Sequence, residues 1–538
     1  MRAGAQIAVS LVSADPPLER QVEQARRAGA SLIELRVDLI GDPGAVTEVL
    51  RSNGDGGFIL TIRAAVEGGA WDGDDAERIA LIESLGLLNP DYVDVELATW
   101  RRSANLRQKI GLVCDTTPPL GPCGGRLPTE TRGAPPGRPR NKLILSRHDL
   151  DGTPTDLDRV YDELADSPAA VLKYVTTARD AADALRVLGL LHRRGTERPL
   201  IALAMGEAGL ASRVLAAKFG GFLTFAALDR GGESAPGQPT LDELVNVYRF
   251  GSIGRNTRVF GVVGWPVQHS LSPHVHNAAL AAANINAVYV PLPVGPSAEE
   301  FRRFMDFVKT NDWLDIGGLS VTIPHKQHAF NWLRDRGLPV RDEARRCGAV
   351  NTLAREAGGT WSGHNTDGEG VVAALATTPR LAGDGLRGRA IEILGAGGVA
   401  RAVAAALLRR GAEVTVTNRS PERAAALAAE LGCSFRPWEQ RALGNVDVLI
   451  NCTPVGMSPQ ADETPVPPER LSPGMVALDT VYTPRRTRFL RDAAARGCAT
   501  VCGVEMFVAQ AAAQHELWHG RAADVSVMRR TLDVCLPP

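Results

Sequence analysis

Lys173 lies in Ala170–Val175, an apolar run that reads as a buried strand. A lysine is rarely buried without a partner. In a dry pocket its amine becomes a nucleophile toward carbonyl carbon and forms an imine. The other reading is an edge-strand lysine that reaches solvent. Polar side chains also follow other apolar runs: Glu34 and Arg36 in IELRVD, Arg63 and Glu67 in TIRAAVEGG, His148 in SRHD, Met205 and Arg213 in AMGEAGLASR, and Ser234 and Gln238 in ESAPGQPT. A lysine with a histidine nearby suits dehydration β to a carbonyl. The iminium takes up the electrons, and His148 removes the proton and returns it to the leaving hydroxyl. Asp94 and Glu96, in VDVEL, are expected to be structural.

The second half carries a different chemistry. Ile391–Leu394 runs as a strand into Gly395, Ala396, Gly397, Gly398, Val399 and Ala400, with a helix expected over Ala400–Arg410. Such a turn lets backbone amides and the helix dipole meet a pyrophosphate. The next strand ends in Asn418, Arg419 and Ser420, with Arg423 close behind, where NAD enzymes usually carry an acidic residue. A guanidinium and a hydroxyl suit a 2′-phosphate, so the expected cofactor is NADP. Thr453, in NCTPVGM, follows another strand and is expected on the adenosine side. Ser270 and Ser272 offer two hydroxyls to a carboxylate, although Ser272 before Pro273 also reads as a helix cap. Lys326 ends SVTIPHK and Asp367 sits in HNTDG. A Lys–Asp pair can protonate the alkoxide that forms when a carbonyl is reduced; a surface lysine and a capping aspartate are the alternative.

The elements that must position these groups follow from periodicity. Eight apolar runs alternate with amphipathic stretches in the first ~245 residues: Ile7–Val12, Leu32–Val37, Phe58–Ile62, Tyr92–Glu96, Leu143–Ser146, Ala170–Val175, Leu200–Ala204 and Gly221–Phe225. This predicts a (β/α)8 TIM barrel over residues 1–247, with a smaller open sheet as the alternative. A Pro-, Gly- and Arg-rich stretch over 115–141 reads as a long loop. Residues 248–257 read as a linker. The remainder predicts a two-lobed α/β protein. Its first lobe covers 258–375 and is completed by helices in 505–538, and a Rossmann lobe covers 376–504.

Composition narrows the classes. In 538 residues the formal net charge is -1, with 44% hydrophobic and 22% charged residues, so no broad basic face for nucleic acid is implied. Eight cysteines lack CxxC spacing and read as reduced thiols. The histidines lack ligand spacing, so no metal is expected. No apolar run reaches the roughly 18 residues of a membrane helix. The N-terminus shows neither a signal peptide nor a transit segment, which reads as a cytoplasmic chain or a plastid form with its presequence removed.

The motifs VFGVVGWPVQHSLSP, SVTIPHK, GAVN, HNTDG, NCTPVGM, DTVYTP and EMFVAQAAAQ occur in order and closely resemble shikimate dehydrogenase over 258–520. The resemblance implies that Ser270 and Ser272 bind the shikimate carboxylate and that Asn351, Asp367 and Gln514 bind ring hydroxyls. Thr322, Tyr482 and Gln510 would line the same pocket, Lys326 and Asp367 would form the catalytic pair, and Gly503 and Met506 would border the nicotinamide. Relatives that prefer quinate alter the second serine or the threonine; both are kept here. Residues 7–245 resemble type I 3-dehydroquinate dehydratase. That implies Lys173 as imine lysine, His148 as general base, Glu67 as its orienting carboxylate and Arg213 as carboxylate ligand. Glu34, Arg36, Arg63, Ser234 and Gln238 would fill hydroxyl-binding and lid positions. Arg147 and the 115–141 stretch depart from the family pattern. The domain order resembles the plant-type fusion of the two enzymes. Its substrates would be 3-dehydroquinate, 3-dehydroshikimate and shikimate, and a monomer without membrane or nucleic-acid partners is expected.

Overall fold

The apolar runs of the first half are buried on both faces, which parallel strands under helices require. In the computed structural model, which describes residues 5–52, 56–116 and 141–536, they form Gln6–Leu11 (β1), Leu32–Arg36 (β2), Phe58–Thr61 (β3), Tyr92–Glu96 (β4), Asn141–His148 (β5), Val171–Thr177 (β6), Leu200–Met205 (β7) and Leu223–Ala227 (β8). The strands follow one another in chain order from β1 to β7, all parallel, and β8 returns to pair with β1. At the remaining seam Phe222 N donates to Leu200 O at 2.8 Å. The result is a nearly closed eight-stranded parallel barrel, as the alternation predicts. Covering helices carry their own start and stop signals. In Ala181–Arg194, Asp180 accepts from Asp183 N, and His192, Arg193 and Arg194 stand where the dipole favours cations.

The last strand begins two residues later than Gly221, because Gly221 N closes a turn on Ala216 O at 2.8 Å. Most of the 115–141 stretch lies outside the described residues. Its first residue, Asp115, pairs with β5 through a two-residue strand, Cys114–Asp115.

The chain divides into two units, Met1–Thr257 and Arg258–Pro538. The segment read as a linker packs on the first. Tyr248, Phe250 and Ile253 are buried, and Lys218 Nζ donates to the carbonyls of Arg255 and Thr257 at 3.0 and 2.7 Å.

The second unit holds two sheets. Arg258–Gly264 (β9), Ala287–Pro293 (β10), Ile316–Val321 (β11), Thr352–Arg355 (β12) and Trp361–His364 (β13) lie in the order β10-β9-β11-β12-β13, the last two antiparallel to their neighbours. Ala390–Leu394 (β14), Glu413–Asn418 (β15), Ser434–Pro437 (β16), Val448–Asn451 (β17), Val476–Asp479 (β18) and Ala499–Val501 (β19) form an all-parallel sheet in the order β16-β15-β14-β17-β18-β19. That order reverses at β14/β17, where open α/β sheets bind dinucleotides. The C-terminal helices Gly503–His519 and Val525–Cys535 fold back: Val504, Phe507, Met528 and Leu532 pack with Val275 and Ala279 of the helix Ser272–Ala282. Among the described residues no helix is long and apolar enough to cross a membrane.

Candidate active sites

Strand register brings the first site together. Lys173 on β6 pairs with Ser146 on β5, and Asp94 on β4 pairs with Thr61 on β3. Side chains alternate along a strand, so these residues and Glu34 reach the barrel interior at its C-terminal end. Lys173, 5% exposed, donates from Nζ to Asp94 Oδ2 at 2.8 Å and lies 3.7 Å from Glu34 Oε1. Arg63 Nη2 meets the same Asp94 oxygen at 2.9 Å. Ser146 Oγ donates to Asp94 Oδ1 at 2.6 Å and accepts from Arg63 Nη1 at 2.8 Å. Burial alone would raise the Asp94 carboxyl, but Arg63 and Lys173 hold it well below the usual carboxylate range. Asp94, expected to be structural, is thus in direct contact with the lysine. No spacing in VDVEL sets this aspartate apart; its partner Lys173 lies on another strand. Glu96 instead binds Arg78 at 2.7 Å and Ala64 N at 3.0 Å, a structural role.

His148 ends β5 and lines the same cavity as Lys173. Its Nδ1 lies 3.1 Å from Glu67 Oε2, which also accepts from the His148 backbone N–H. Burial, then Arg63 and Lys173, hold the imidazole well below its ordinary range. Burial pushes Glu67 up to about 7 against the pull of Arg63. Arg213 is 3% exposed; its Nε has no partner among the described residues, and burial lowers its pKa to about 10. A buried guanidinium with a spare donor suits a substrate carboxylate. Glu34 accepts from Ser10 Oγ and Thr61 Oγ1, and Gln238 Oε1 accepts from Ser234 N and Oγ. Arg36 forks onto Asp38 and reaches Ser234 O at 3.4 Å. All nine predicted residues of this half, with Met205, line one cavity of about 390 Å³.

In the second unit Lys326 opens a helix just after β11, and Asp367 opens another just after β13. Lys326 Nζ donates to Asp367 Oδ2 at 2.6 Å. Asn351 Nδ2 donates to Asp367 Oδ1 and to Thr366 Oγ1, both at 2.9 Å. Gln514 extends the chain: its Nε2 donates to Thr352 Oγ1 at 2.9 Å and to Asn351 O, while its Oε1 accepts from Ser320 Oγ at 2.8 Å. Ser320 and Thr352 are members that sequence reasoning left out. Ser270 Oγ accepts from Ser272 N at 3.3 Å. The helix Ser272–Ala282 is capped by Leu271 without a side-chain bond, so the Ser272 hydroxyl is not spent as a cap. Thr322 is half-buried after β11 and donates its N–H to Val263 O. Tyr482 meets Phe507 edge-on at 4.9 Å, and Gln510 Nε2 turns back to Phe507 O.

The Gly-rich turn abuts this pair. A Cβ added at Gly398 would lie 3.3 Å from Lys326 Cβ. Gly395 has φ +118°, and a Cβ there would press on Cys452 O. At Gly397 a Cβ would meet nothing within 4 Å: the space before the helix is open. That helix runs Gly398–Arg409, two residues earlier than expected, so Gly398, Val399 and Ala400 supply its first N–H groups, without a side-chain cap. Asn418 Nδ2 bonds Ser420 O, while Arg419 and Arg423 are exposed. Thr453 Oγ1 donates to Asn451 Oδ1 at 2.6 Å. Gly503 is packed so closely on Val481 O that no side chain fits, and Met506 is buried in the core around β14.

Family models match in the same places. Residues 7–112 and 136–255 match type I 3-dehydroquinase; 262–353 match the shikimate dehydrogenase substrate binding domain. Residues 503–532 match the shikimate 5'-dehydrogenase C-terminal domain, and 390–476 match NADP oxidoreductase, coenzyme F420-dependent. A chloroplastic bifunctional 3-dehydroquinate dehydratase/shikimate dehydrogenase from Arabidopsis thaliana is 35% identical over 520 residues, 94% of this chain and 80% of that protein. This chain belongs to that bifunctional family. The dehydratase is the first unit and the dehydrogenase the second. For the dehydrogenase alone, the NADP(+) shikimate dehydrogenase of a Synechocystis strain is 40% identical over 294 residues, 52% of this chain and 97% of that protein. A crystal structure of shikimate 5-dehydrogenase from Thermus thermophilus with NADP(H) and shikimate covers 52% of this chain and 100% of its own, at 36% identity and a TM-score of 0.46.

Proposed function

We propose that Lys173 and His148 carry the dehydration of 3-dehydroquinate, and that Lys326 and Asp367 carry the NADPH-dependent reduction of the resulting 3-dehydroshikimate to shikimate. The observation that carries the first half is the single cavity joining Lys173, His148, Glu67 and Arg213. Arg213 anchors the substrate carboxylate. The Lys173 amine leaves Asp94 and adds to the substrate carbonyl; water departs and an iminium remains. His148, neutral because of its burial, takes the proton next to that iminium and returns it to the leaving hydroxyl, and a water then hydrolyses the product iminium, releasing 3-dehydroshikimate and the Lys173 amine. Borohydride added with 3-dehydroquinate is expected to fix the substrate carbon skeleton on the Lys173 peptide. An unlabelled Lys173 sinks this assignment.

Glu67 sets the pH response. Its carboxyl, raised to about 7, is protonated below that pH and charged above it. Only the charged form stabilises the imidazolium that His148 becomes. Dehydratase kcat is therefore expected to climb with pH through about 7, and this limb should vanish in Glu67→Gln. A limb that persists in the variant assigns it to another group.

In the second site the open ground at Gly397 and the uncapped helix start fit a pyrophosphate, and exposed Arg419 and Arg423 fit a 2′-phosphate. Bound NADPH supplies a hydride. Ser270 and Ser272 hold the substrate carboxylate, and Asn351, Asp367 and Gln514 hold its hydroxyls, with Thr322, Tyr482 and Gln510 around them. Lys326 Nζ gives a proton to the oxygen as it becomes an alkoxide, and Asp367 holds that amine in place. Arg419→Ser is expected to raise the KM for NADPH about 10-fold and leave that for NADH unchanged; equal changes in both would remove Arg419 from phosphate recognition. Steady-state rates on shikimate and quinate test the substrate, with a preference for quinate overturning it.

A further inference from the structure

We propose that Asp479 is a positioning residue of the dehydrogenase site: its buried carboxylate clasps both ends of the loop that carries Tyr482 and so fixes where that side chain meets substrate. The inference rests on the reading of Tyr482 as a wall of the substrate pocket.

Asp479 ends β18 and is 0% exposed. The chain then leaves the sheet and loops into the helix Arg488–Ala495. The carboxylate holds both ends of that loop. Its Oδ1 accepts from Val481 N at 3.0 Å, and its Oδ2 accepts from Thr487 Oγ1 at 2.6 Å. Tyr482 lies between these two ties, and Thr483 O, next along, accepts from Ser458 N at 2.9 Å. The Val481 carbonyl packs on Gly503, which opens the helix Gly503–His519. That helix also carries Phe507, on which the Tyr482 ring rests edge-on. Backbone and ring of Tyr482 are thus set against the helix that brings Gln510 and Gln514 to the same site.

A third donor joins the loop to the cofactor side. Asn451 ends β17 opposite Asp479 in the sheet, and its Nδ2 donates to Asp479 Oδ1 at 2.9 Å and to Val455 O at 3.2 Å. Its Oδ1 is thereby turned to accept from Thr453 N at 3.0 Å. A buried carboxylate is costly unless charge or hydrogen bonds compensate it. Among the described residues the donors to Asp479 are all neutral, and they come from the two loops that leave β17 and β18. Burial pushes its carboxyl up to about 6, so at neutral pH the group is ionised and can only accept. An amide offers one accepting oxygen, whereas these donors divide between two. The carboxylate is therefore explained by what it gathers: one group ties the loop of Tyr482 to itself and to the strand before Thr453.

Thr487→Val in the full-length enzyme opens one tie and leaves Asp479 to Val481 and Asn451. The KM for 3-dehydroshikimate is expected to rise about 10-fold, with kcat and the KM for NADPH within about twofold. The retained kcat reports that the second unit is folded. Thr487→Ser keeps the hydroxyl and is expected to match wild type. Asp479→Ala also frees Asn451 and is expected to raise both KM values about 10-fold. In a Tyr482→Ala background, Thr487→Val is expected to add nothing to the KM for 3-dehydroshikimate. The proposal is overturned by an unchanged KM for 3-dehydroshikimate in Thr487→Val or Asp479→Ala, or by equal rises in both KM values in Thr487→Val. A serine that fails to restore the KM, or a penalty that persists without the Tyr482 side chain, overturns it too. If Tyr482→Ala alone leaves that KM unchanged, the reading of Tyr482 fails first, and the role of Asp479 fails with it.

Discussion

Lys173→Met is expected to lower dehydratase turnover by about 10⁵-fold while shikimate oxidation by the same chain stays within about twofold. The loss is large because nothing else in the cavity can form an imine. Arg63 and Arg213 are guanidinium groups, and His148 has no route to the electron sink. The variant should still fold. Asp94 keeps Arg63 at 2.9 Å and the Ser146 hydroxyl at 2.6 Å, so removing the lysine does not strand a buried carboxylate. Methionine fills the space over the Phe225 ring, which the Lys173 amine covers at 4.5 Å. Formation of 3-dehydroshikimate, followed by its ultraviolet absorbance, measures the first activity; NADP reduction by shikimate measures the second. A residual dehydratase rate within about 100-fold of wild type would move the nucleophile elsewhere.

Lys326→Met should do the converse, with the dehydrogenase kcat down by about 10³-fold and the dehydratase untouched, in keeping with the loss of a general acid. Here the fold does feel the change. Asp367 is 4% exposed and, among the described residues, keeps only Asn351 as side-chain donor once the amine is gone. Breaking that pair should cost about 1–3 kcal/mol, seen as a lower Tm for the second unit. Asp367→Asn should lose less activity than Lys326→Met, because the amine stays but is no longer held. Stopped-flow decay of NADPH absorbance on mixing with 3-dehydroshikimate reads the chemical step directly. An equal loss in KM and no change in kcat would make Lys326 a binding group instead.

Periodicity carried the barrel well, since the strands are apolar along most of their length and neighbours in sequence are neighbours in space. It served the second unit less well where a strand is short and half exposed. Ser434–Pro437 has no buried residue, and only Val501 of Ala499–Val501 is buried, so neither shows a hydrophobic signature. The site residues with unusual chemistry for their setting, such as Lys173 in a buried strand, were legible. Asp94, Ser320 and Thr352 were not, because a small polar group acquires meaning only from what register and packing set beside it. Asp94 needs Lys173 from 79 positions away, and Ser320 needs Gln514 from 194.

The packing of residues 248–257 bears on how the gene can be divided. A coding sequence stopped after Val247 would discard Tyr248, Phe250 and Ile253, together with the carbonyls that satisfy the Lys218 ammonium. It would strip both of those carbonyls from a buried ammonium. The natural cut falls after Thr257, immediately before β9, where the first half keeps its own closing segment and the second begins with a strand.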